Sequence, residues 1–214
     1  MLKVGVRLPA AFANAGEYLA DATAIDAAGA DSIWLDARTE APTEYWILLG
    51  AIAAVTHRVR LGMSVGSAAW RLAAMDTLRR LSGGRVVVGL RPDDDPESLV
   101  GELKSWRSSP QPILIVCDSY IEAERSALLA DGVILAGSDE DVRALRAHRS
   151  RDGEFELWVD VSIPSDRAAW MNMNASFLAA GATGIIVPWD PRLIDLLRSA
   201  GEPDDRIDLL IATG

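Results

Sequence analysis

Residues 85–90 read RVVVGL and residues 112–117 read PILIVC, two short runs made almost wholly of apolar side chains. Strands with one face in water alternate apolar and polar residues, whereas strands buried on both faces read as continuous apolar runs. Strands of the second kind belong to parallel sheets that are covered by helices. These two runs therefore predict an α/β protein built around a parallel sheet.

Similar strand patterns recur eight times along the chain, and each is followed by an amphipathic helical stretch. Eight equal βα units predict a closed (β/α)8 TIM barrel, here small and formed by the single domain 1–214. The alternative is an open doubly wound sheet, which more often has a glycine-rich loop after its first strand. Residues 9–12 read PAAF, without glycine, which favours the barrel. The predicted strands are 2–8, 31–35, 59–64, 85–90, 112–117, 132–136, 155–163 and 184–189, and the predicted helices are 15–30, 44–58, 68–81, 97–107, 120–130, 139–149, 166–180 and 192–199.

The composition narrows the possible functions. The 214 residues are 50% hydrophobic, and 31 acidic against 21 basic residues give a formal net charge of -10. An acidic protein is repelled by nucleic acid and by anionic membranes, so we expect neither as a partner. The N-terminus leads directly into a strand without a signal peptide, and the most apolar stretch, 47–55, is too short to cross a bilayer. The single cysteine, Cys117, fits a reducing compartment, and we expect a cytoplasmic protein.

Four segments of the first half carry a family resemblance: residues 3–9 (KVGVRLP), 29–36 (GADSIWLD), 48–62 (LLGAIAAVTHRVRLG) and 78–90 (LRRLSGGRVVVGL). Together they resemble the luciferase-like monooxygenases, a family of flavin- or deazaflavin-dependent oxidoreductases. The resemblance implies a (β/α)8 barrel with FMN or the deazaflavin coenzyme F420 at the C-terminal ends of the strands, and a reaction by hydride transfer or monooxygenation. It also implies a shortened member that lacks the family's long insertions, because residues 91–110 stand where relatives have a much longer segment.

Two polar residues at strand ends are the catalytic candidates, because active sites of such barrels lie where strands end. Asp36 ends the second strand and could orient a cofactor or act as a base. Its alternative role is to pair with Arg7 or Arg38 and stabilise the barrel mouth. Ser64 ends the third strand, where the resemblance implies a strained peptide beneath the flavin ring. Its alternative is an ordinary serine at a strand end.

The candidates for cofactor binding lie at the same rim. Arginines there could attract a phosphate. Gly137 and Ser138 precede an acidic helix and could bind an anion on free backbone N–H groups. The alternative at this turn is simple N-capping of the helix. The full set of cofactor-binding candidates is Arg7, Arg38, Arg91, Ser119, Gly137 and Ser138.

Two turns depart from the family pattern. The resemblance implies glycine-rich turns after the fourth and fifth strands, but residues 91–95 read RPDDD and residues 117–120 read CDSY. Glycine lets backbone N–H groups approach a phosphate, whereas aspartate adds repulsion. We therefore expect weak or absent binding of FMN and of the deazaflavin.

Two other classes of function remain open. The chain could be a non-catalytic barrel that acts as a dimeric binding or partner subunit, and a small molecule could be its ligand. A metal-dependent lyase or hydrolase could instead use Asp36, Asp118 and Asp160 around Mg²⁺, although no spacing motif supports a metal site. A Ser-His-Asp triad is not expected, since His57 and His148 fall at helix ends away from the mouth.

The predicted helix from Glu44 to Arg58 has almost no polar face between Trp46 and Val55. A helix at the surface of a globular protein needs one, so we expect a second chain to cover this helix. The resemblance agrees, because it implies dimerisation through this region. The sequence therefore predicts a homodimer, with Ile52 among the contact residues.

Overall fold

The computed structural model describes residues 1–9, 11–36, 42–65, 71–91, 101, 103, 110–148 and 155–199. These residues form eight parallel strands, which close into a barrel in the order β1 to β8 because β8 also pairs with β1. The predicted (β/α)8 barrel is confirmed. The strands are β1 (Lys3–Leu8), β2 (Ser32–Asp36), β3 (Arg60–Val65), β4 (Val86–Leu90), β5 (Ile113–Cys117), β6 (Gly132–Leu135), β7 (Glu156–Asp160) and β8 (Gly184–Pro188).

Helices surround this barrel. Those in the described part of the chain are α1 (Ala15–Ala28), α2 (Pro42–Val55), α3 (Arg71–Leu81), α4 (Tyr120–Ser126), α5 (Asp139–His148), α6 (Arg167–Ala180) and α7 (Leu193–Ser199). The helix predicted at 97–107 lies almost wholly outside the described residues. No helix of the described ranges is long and apolar enough to cross a membrane.

Local chemistry explains where the helices begin and end. Gly29 and Gly181 end α1 and α6 with φ of 91° and 93°, a left-handed conformation that costs glycine little. In the sequence, Ser165 directly precedes the predicted helix 166–180 and resembles its N-cap. In the structure the Asp166 carboxylate caps α6, since it accepts the Ala169 N–H at 2.8 Å. The Ser165 hydroxyl donates to that carboxylate instead, at 2.9 Å.

The barrel encloses a core of its own, separate from the larger apolar layer between strands and helices. Trp34 and Trp158 fill much of it, and neighbouring strands make room with glycine. A Cβ added to Gly62 would lie 2.4 Å from the Trp34 ring, and one added to Gly184 would lie 2.5 Å from the Trp158 ring. The inner core consists of Trp34, Val87, Leu114, Val116, Ile134, Trp158 and Ile186.

An ion pair closes the end of the barrel where the strands begin. Arg60 donates to both carboxylate oxygens of Glu156, at 2.7 and 2.8 Å, and the Trp158 indole N–H donates to the same carboxylate at 2.7 Å. The Arg60 guanidinium also lies 5.3 Å from the centre of the Trp158 ring. Burial alone would raise the pKa of Glu156, but these hydrogen bonds and the positive charges of Arg60 and Lys3 outweigh it and lower that pKa. We call this group the barrel floor.

A buried carboxylate joins α1 to the loop that leads into β3. Asp26 accepts backbone N–H groups from His57 at 2.8 Å, Arg58 at 3.0 Å and Val59 at 2.8 Å. Burial by itself would raise the pKa of Asp26, but the three hydrogen bonds and the Arg58 charge lower it. Because these donors have a strong acceptor, the turn before β3 is fixed without regular secondary structure.

Candidate functional site

A shallow pocket lies at the mouth of the barrel, where the strands end. Its enclosed part has room for about one water molecule. A larger ligand must therefore lie against the mouth and not inside the barrel. The pocket is lined by Arg7, Ser64, Arg91 and Asp160 as polar residues and by Trp34, Leu35, Val116, Ile134 and Ile186 as apolar ones.

The Trp34 indole forms part of the base of this pocket. Its Nε1 donates to the Ser32 hydroxyl at 2.9 Å, which fixes the plane of the ring. The ring lies against Gly62, and a Cβ added to Gly89 would be 3.3 Å from it. Sequence analysis missed this residue as part of the site. The signal was present, because glycine stands at inward positions of the strands on which a large ring must rest.

Arg7 is already paired at the rim. Its guanidinium donates to the Asp160 carboxylate, which comes from β7, two strands away around the barrel. Both side chains are only partly exposed. Asp160 is thus one partner of Arg7, whereas the predicted pairing of Asp36 with Arg7 or Arg38 lies outside the described residues. The pair leaves this part of the mouth close to neutral.

A second ion pair joins the ends of β4 and β5. The Arg91 Nη1 lies 2.9 and 2.8 Å from the two oxygens of Asp118. Thus two of the three arginines proposed for a phosphate each face a carboxylate of this chain. The third, Arg38, lies outside the described residues. Asp118 and Asp160 belong to separate ion pairs, and no group of three metal-binding side chains occurs in the described ranges, which gives the magnesium hypothesis no support.

The turn after β5 uses its polar groups internally. The Ser119 hydroxyl caps α4 by accepting the Glu122 N–H at 3.3 Å, and the Glu122 carboxylate accepts the Asp118 N–H at 2.8 Å. This reciprocal arrangement resembles a capping box. Ser119 remains a predicted cofactor ligand, but its hydroxyl and the neighbouring N–H already have partners within the chain.

The turn at Gly137 and Ser138 has the shape of an anion site, and an anion of the chain occupies it. One carboxylate oxygen of Asp141 accepts both the Ser138 N–H and the Ser138 hydroxyl, each at 2.8 Å. A Cβ added to Gly137 would lie 2.9 Å from the same oxygen. The Ser138 oxygen in turn accepts the Asp141 N–H at 3.2 Å. The capping alternative therefore describes this turn, and we call it the 137–141 turn.

The two catalytic candidates are neighbours. Asp36 and Ser64 face each other in the register of β2 and β3, and Ser64 lines the pocket. The position of the Asp36 side chain lies outside what the structure describes. The described backbone has no cis peptide bond and no residue other than glycine with positive φ. Ser64 lies in the regular strand Arg60–Val65, and the residues that follow Val65, where the implied strained peptide could also fall, lie outside the described ranges.

Cys117 at the end of β5 offers no nucleophile. Its side chain is buried beneath the rim. Burial, opposed by a hydrogen bond with Ser126 and assisted by the charges of Glu122 and Asp118, raises the pKa of the thiol to about 12. The thiolate, which is the reactive form, is therefore scarce at neutral pH.

The fold and the position of the site define the class of protein: the chain is a (β/α)8 barrel whose candidate site lies at the C-terminal ends of the strands. A sequence profile of the family described as luciferase-like monooxygenase matches residues 3–99. This range contains β1 to β4 and the residues that carried the resemblance. The resemblance to the luciferase-like family is thus confirmed over these residues. No match was found among curated proteins.

Solved structures with a similar fold include two proteins that use F420. A coenzyme F420-dependent tetrahydromethanopterin reductase from Methanopyrus kandleri has 11% identity and a TM-score of 0.67, over 94% of this chain and 97% of that one. An F420-dependent secondary alcohol dehydrogenase, in complex with an F420-acetone adduct, has 12% identity and a TM-score of 0.74, over 92% and 97%. A thiamine phosphate pyrophosphorylase from Pyrococcus furiosus has 13% identity and a TM-score of 0.62, over 92% of each chain. At such identities these structures establish the fold alone.

Proposed function

We propose that the chain is an oxidoreductase of the luciferase-like type that binds a flavin or deazaflavin by its ring and not by its phosphate. The observation that carries this proposal is the mouth itself, where an apolar base that includes Trp34 lies beneath a rim of internally paired charges. The family match over β1 to β4 and the F420 dependence stated for two structural relatives support a redox cofactor.

The described residues fit the two ends of such a cofactor differently. A flat, largely apolar ring matches an apolar base of similar character. A phosphate needs free N–H groups or an unpaired cation. At the 137–141 turn the Ser138 N–H is taken by Asp141, and Arg7 and Arg91 are paired with aspartates. A phosphate therefore finds no evident partner among the described rim residues.

The side chains of the protein would then act mainly by positioning the cofactor ring and the substrate. When bound, the reduced ring would supply a hydride to a substrate or, as a flavin, the electrons for oxygenation by O2. The apolar base would hold one face of the ring, and the Arg7–Asp160 pair would border it without adding net charge. The Ser64 hydroxyl is the uncharged polar group of the pocket lining and can exchange a hydrogen bond with the ring or a substrate. Asp36, next to it in register, is the candidate base.

The test compares riboflavin, which lacks the phosphate, with FMN. We expect dissociation constants that agree within about threefold, since a useful phosphate contact would favour FMN by tenfold or more. The readout is quenching of tryptophan or flavin fluorescence during titration. A preference of tenfold or more for FMN would refute binding by the ring alone. Absence of quenching by riboflavin, by FMN and by the deazaflavin F420, each at millimolar concentration, would refute the oxidoreductase proposal.

A matched variant sharpens this comparison. Asp141→Ala removes the carboxylate that occupies the 137–141 turn and frees the Ser138 N–H. We expect this change to tighten FMN severalfold and to leave riboflavin unchanged. Asp195→Ala, on the exposed surface of α7, serves as the charge control and should change neither affinity.

A second candidate function is the non-catalytic partner subunit. The observation in its favour is that carboxylates of the chain itself accept the backbone N–H groups at the turns after β5 and β6. The same titration separates the two candidates, because a partner subunit need not quench with either flavin.

We also propose a homodimer through α2, with a corrected contact surface. Ile52 is 0% exposed and packs inside the chain, so our expectation that it contacts a partner was wrong. Ile47 is 70% exposed, Ala54 is exposed about two turns further on, and Leu81 at the end of α3 is 64% exposed. The Leu81 Cδ1 would lie 3.9 Å from a Cβ on Gly50, so α2 and α3 share one continuous apolar surface.

The test replaces a residue of this surface and not of the core. Ile47→Glu should halve the mass in solution, because a charge placed in an apolar interface is strongly disfavoured. Ile121→Glu is the matched control, since Ile121 is similarly exposed, at 59%, but lies on α4. Light scattering after size-exclusion chromatography gives the mass. An unchanged mass for Ile47→Glu in a folded protein would refute the α2 interface.

A further inference from the structure

The outer face of α6 is an unusual surface for an acidic protein. The helix reads RAAWMNMNASFLAA and contains no charged residue after Arg167. Its exposed apolar residues are Ala168, Met171, Ala175, Leu178 and Ala179, and the first four follow one another at spacings of three, four and three. Met171 is 59% and Leu178 49% exposed. This spacing gives one straight apolar stripe along the helix, which we call the α6 stripe.

We propose that the α6 stripe is a second interface, which binds the α6 stripe of another copy of this chain in antiparallel orientation. The stripe alternates small and large side chains. If a twofold axis crosses the helix at Met173, Met171 lies opposite Ala175 and Ala168 lies opposite Leu178. Each large side chain then meets a small one, in both directions. A twofold contact requires this kind of self-complementarity.

The amides of the same helix agree with this arrangement. Asn172 is exposed beside the stripe and lies one residue from the axis, so the twofold operation places it next to Asn172 of the other copy. An amide can both donate and accept a hydrogen bond, so the two side chains can pair. A pair of amide hydrogen bonds across the axis would fix the register of the two helices.

Charges on the flanking helices favour the antiparallel orientation. The strand order places α5 and α7 on either side of α6, and Ser176 donates to Asp139 of α5 at 2.7 Å. Among the exposed residues of both flanking helices an acidic one precedes a basic one: α5 has Glu140 before His148, and α7 has Asp195 before Arg198. An antiparallel copy brings the acidic end of each helix to the basic end of its counterpart. A parallel copy would not use this complementarity.

The size of the surface predicts a weak contact. The 14 residues of α6 span about 21 Å, and neighbouring helices lie about 10 Å apart. The stripe and its flanks therefore cover on the order of 500 Å² per copy, close to the lower limit of about 1,000 Å² in total for a specific interface. We expect association that depends on protein concentration, in addition to the contact through α2.

Cysteine cross-linking tests the proposed register. A mixture of Met171→Cys and Ala175→Cys proteins should form an intermolecular disulfide under mild oxidation, several times more than either protein alone. Ala168→Cys alone is the control, because its counterpart across the axis is Leu178, and it should not cross-link. The native Cys117 is buried and should not interfere. Equal cross-linking by the control, or none by the mixture, would overturn the proposal.

A mass measurement tests the interface without cysteines. In the Ile47→Glu background, sedimentation velocity should show a concentration-dependent dimer, and adding Met171→Glu should leave a monomer. Asn172→Ala should weaken the dimer severalfold and leave the melting temperature almost unchanged. If the sedimentation profile is the same with and without Met171→Glu, the α6 stripe is not an interface. Neither result depends on flavin binding.

Discussion

Replacing Gly62 with alanine tests how the barrel interior supports the mouth. A Cβ at this position would lie 2.4 Å from both Cδ2 and Cε3 of Trp34, whereas carbon atoms in contact prefer about 3.5–4.0 Å. The ring must therefore move by about 1 Å, but the Ser32 hydrogen bond and the wall at Gly89 resist such a shift. Overpacking of this kind typically costs about 1–3 kcal/mol of unfolding free energy.

The assay is a double-mutant cycle followed by urea unfolding. Trp34→Ala alone should cost about 3–5 kcal/mol, as expected for removal of a large buried ring. In the Trp34→Ala background there is no ring to displace, so Gly62→Ala should cost almost nothing. The coupling energy between the two changes should thus be about 1–3 kcal/mol, where independent sites agree within about 0.5 kcal/mol.

A second glycine gives the control for this cycle. Gly50 lies in α2, and a Cβ there would meet only the Leu81 Cδ1, at 3.9 Å. Gly50→Ala should be neutral or stabilising by up to about 1 kcal/mol, equally in both backgrounds. Additive costs for Gly62→Ala and Trp34→Ala would refute the account of the Trp34 ring as the element that requires Gly62.

Two further outcomes follow from the buried acid and the buried thiol. Asp26→Ala should cost about 3 kcal/mol at pH 7, because three backbone N–H groups lose their acceptor. The pKa of Asp26 is lowered by folding, so its stabilisation is complete above the unfolded pKa and is lost as pH falls through the folded pKa. The difference in unfolding free energy between wild type and Asp26→Asn, measured in urea, should therefore shrink below about pH 4. Cys117, with its pKa raised to about 12, should react with a thiol reagent at pH 8 only after denaturation. Fast reaction of the native protein would show that the thiol is accessible.

The fold could be predicted because its signals are local. Runs such as residues 113–117 are apolar throughout, and a strand buried on both faces requires that composition. The inner side of α2 could not be predicted, because Ile47 and Ile52 occur in equally apolar surroundings. Only the packing of α2 on the barrel shows that one is exposed and the other buried. Ser165 and Asp166 can both cap a helix, and the backbone geometry decides between them.

The location of the site could be predicted from the sequence, but the ion pairs within it could not. Residues at strand ends had to lie at the mouth, and Arg7, Ser64 and Arg91 do line it. The partner of Arg7 is 153 residues away, and no local pattern encodes such a contact. That the Asp141 carboxylate fills the 137–141 turn could be predicted, because a serine followed three residues later by an acidic residue is typical of a capping box.

The barrel floor determines from which end of the barrel a ligand can approach. Arg60 and Glu156 close one end, and Trp158 and Trp34 fill the interior above them. Within the described residues, the mouth is therefore the end of the barrel against which a ligand can lie. A compound that covers the mouth would then compete with any other ligand that binds there, whatever its chemistry.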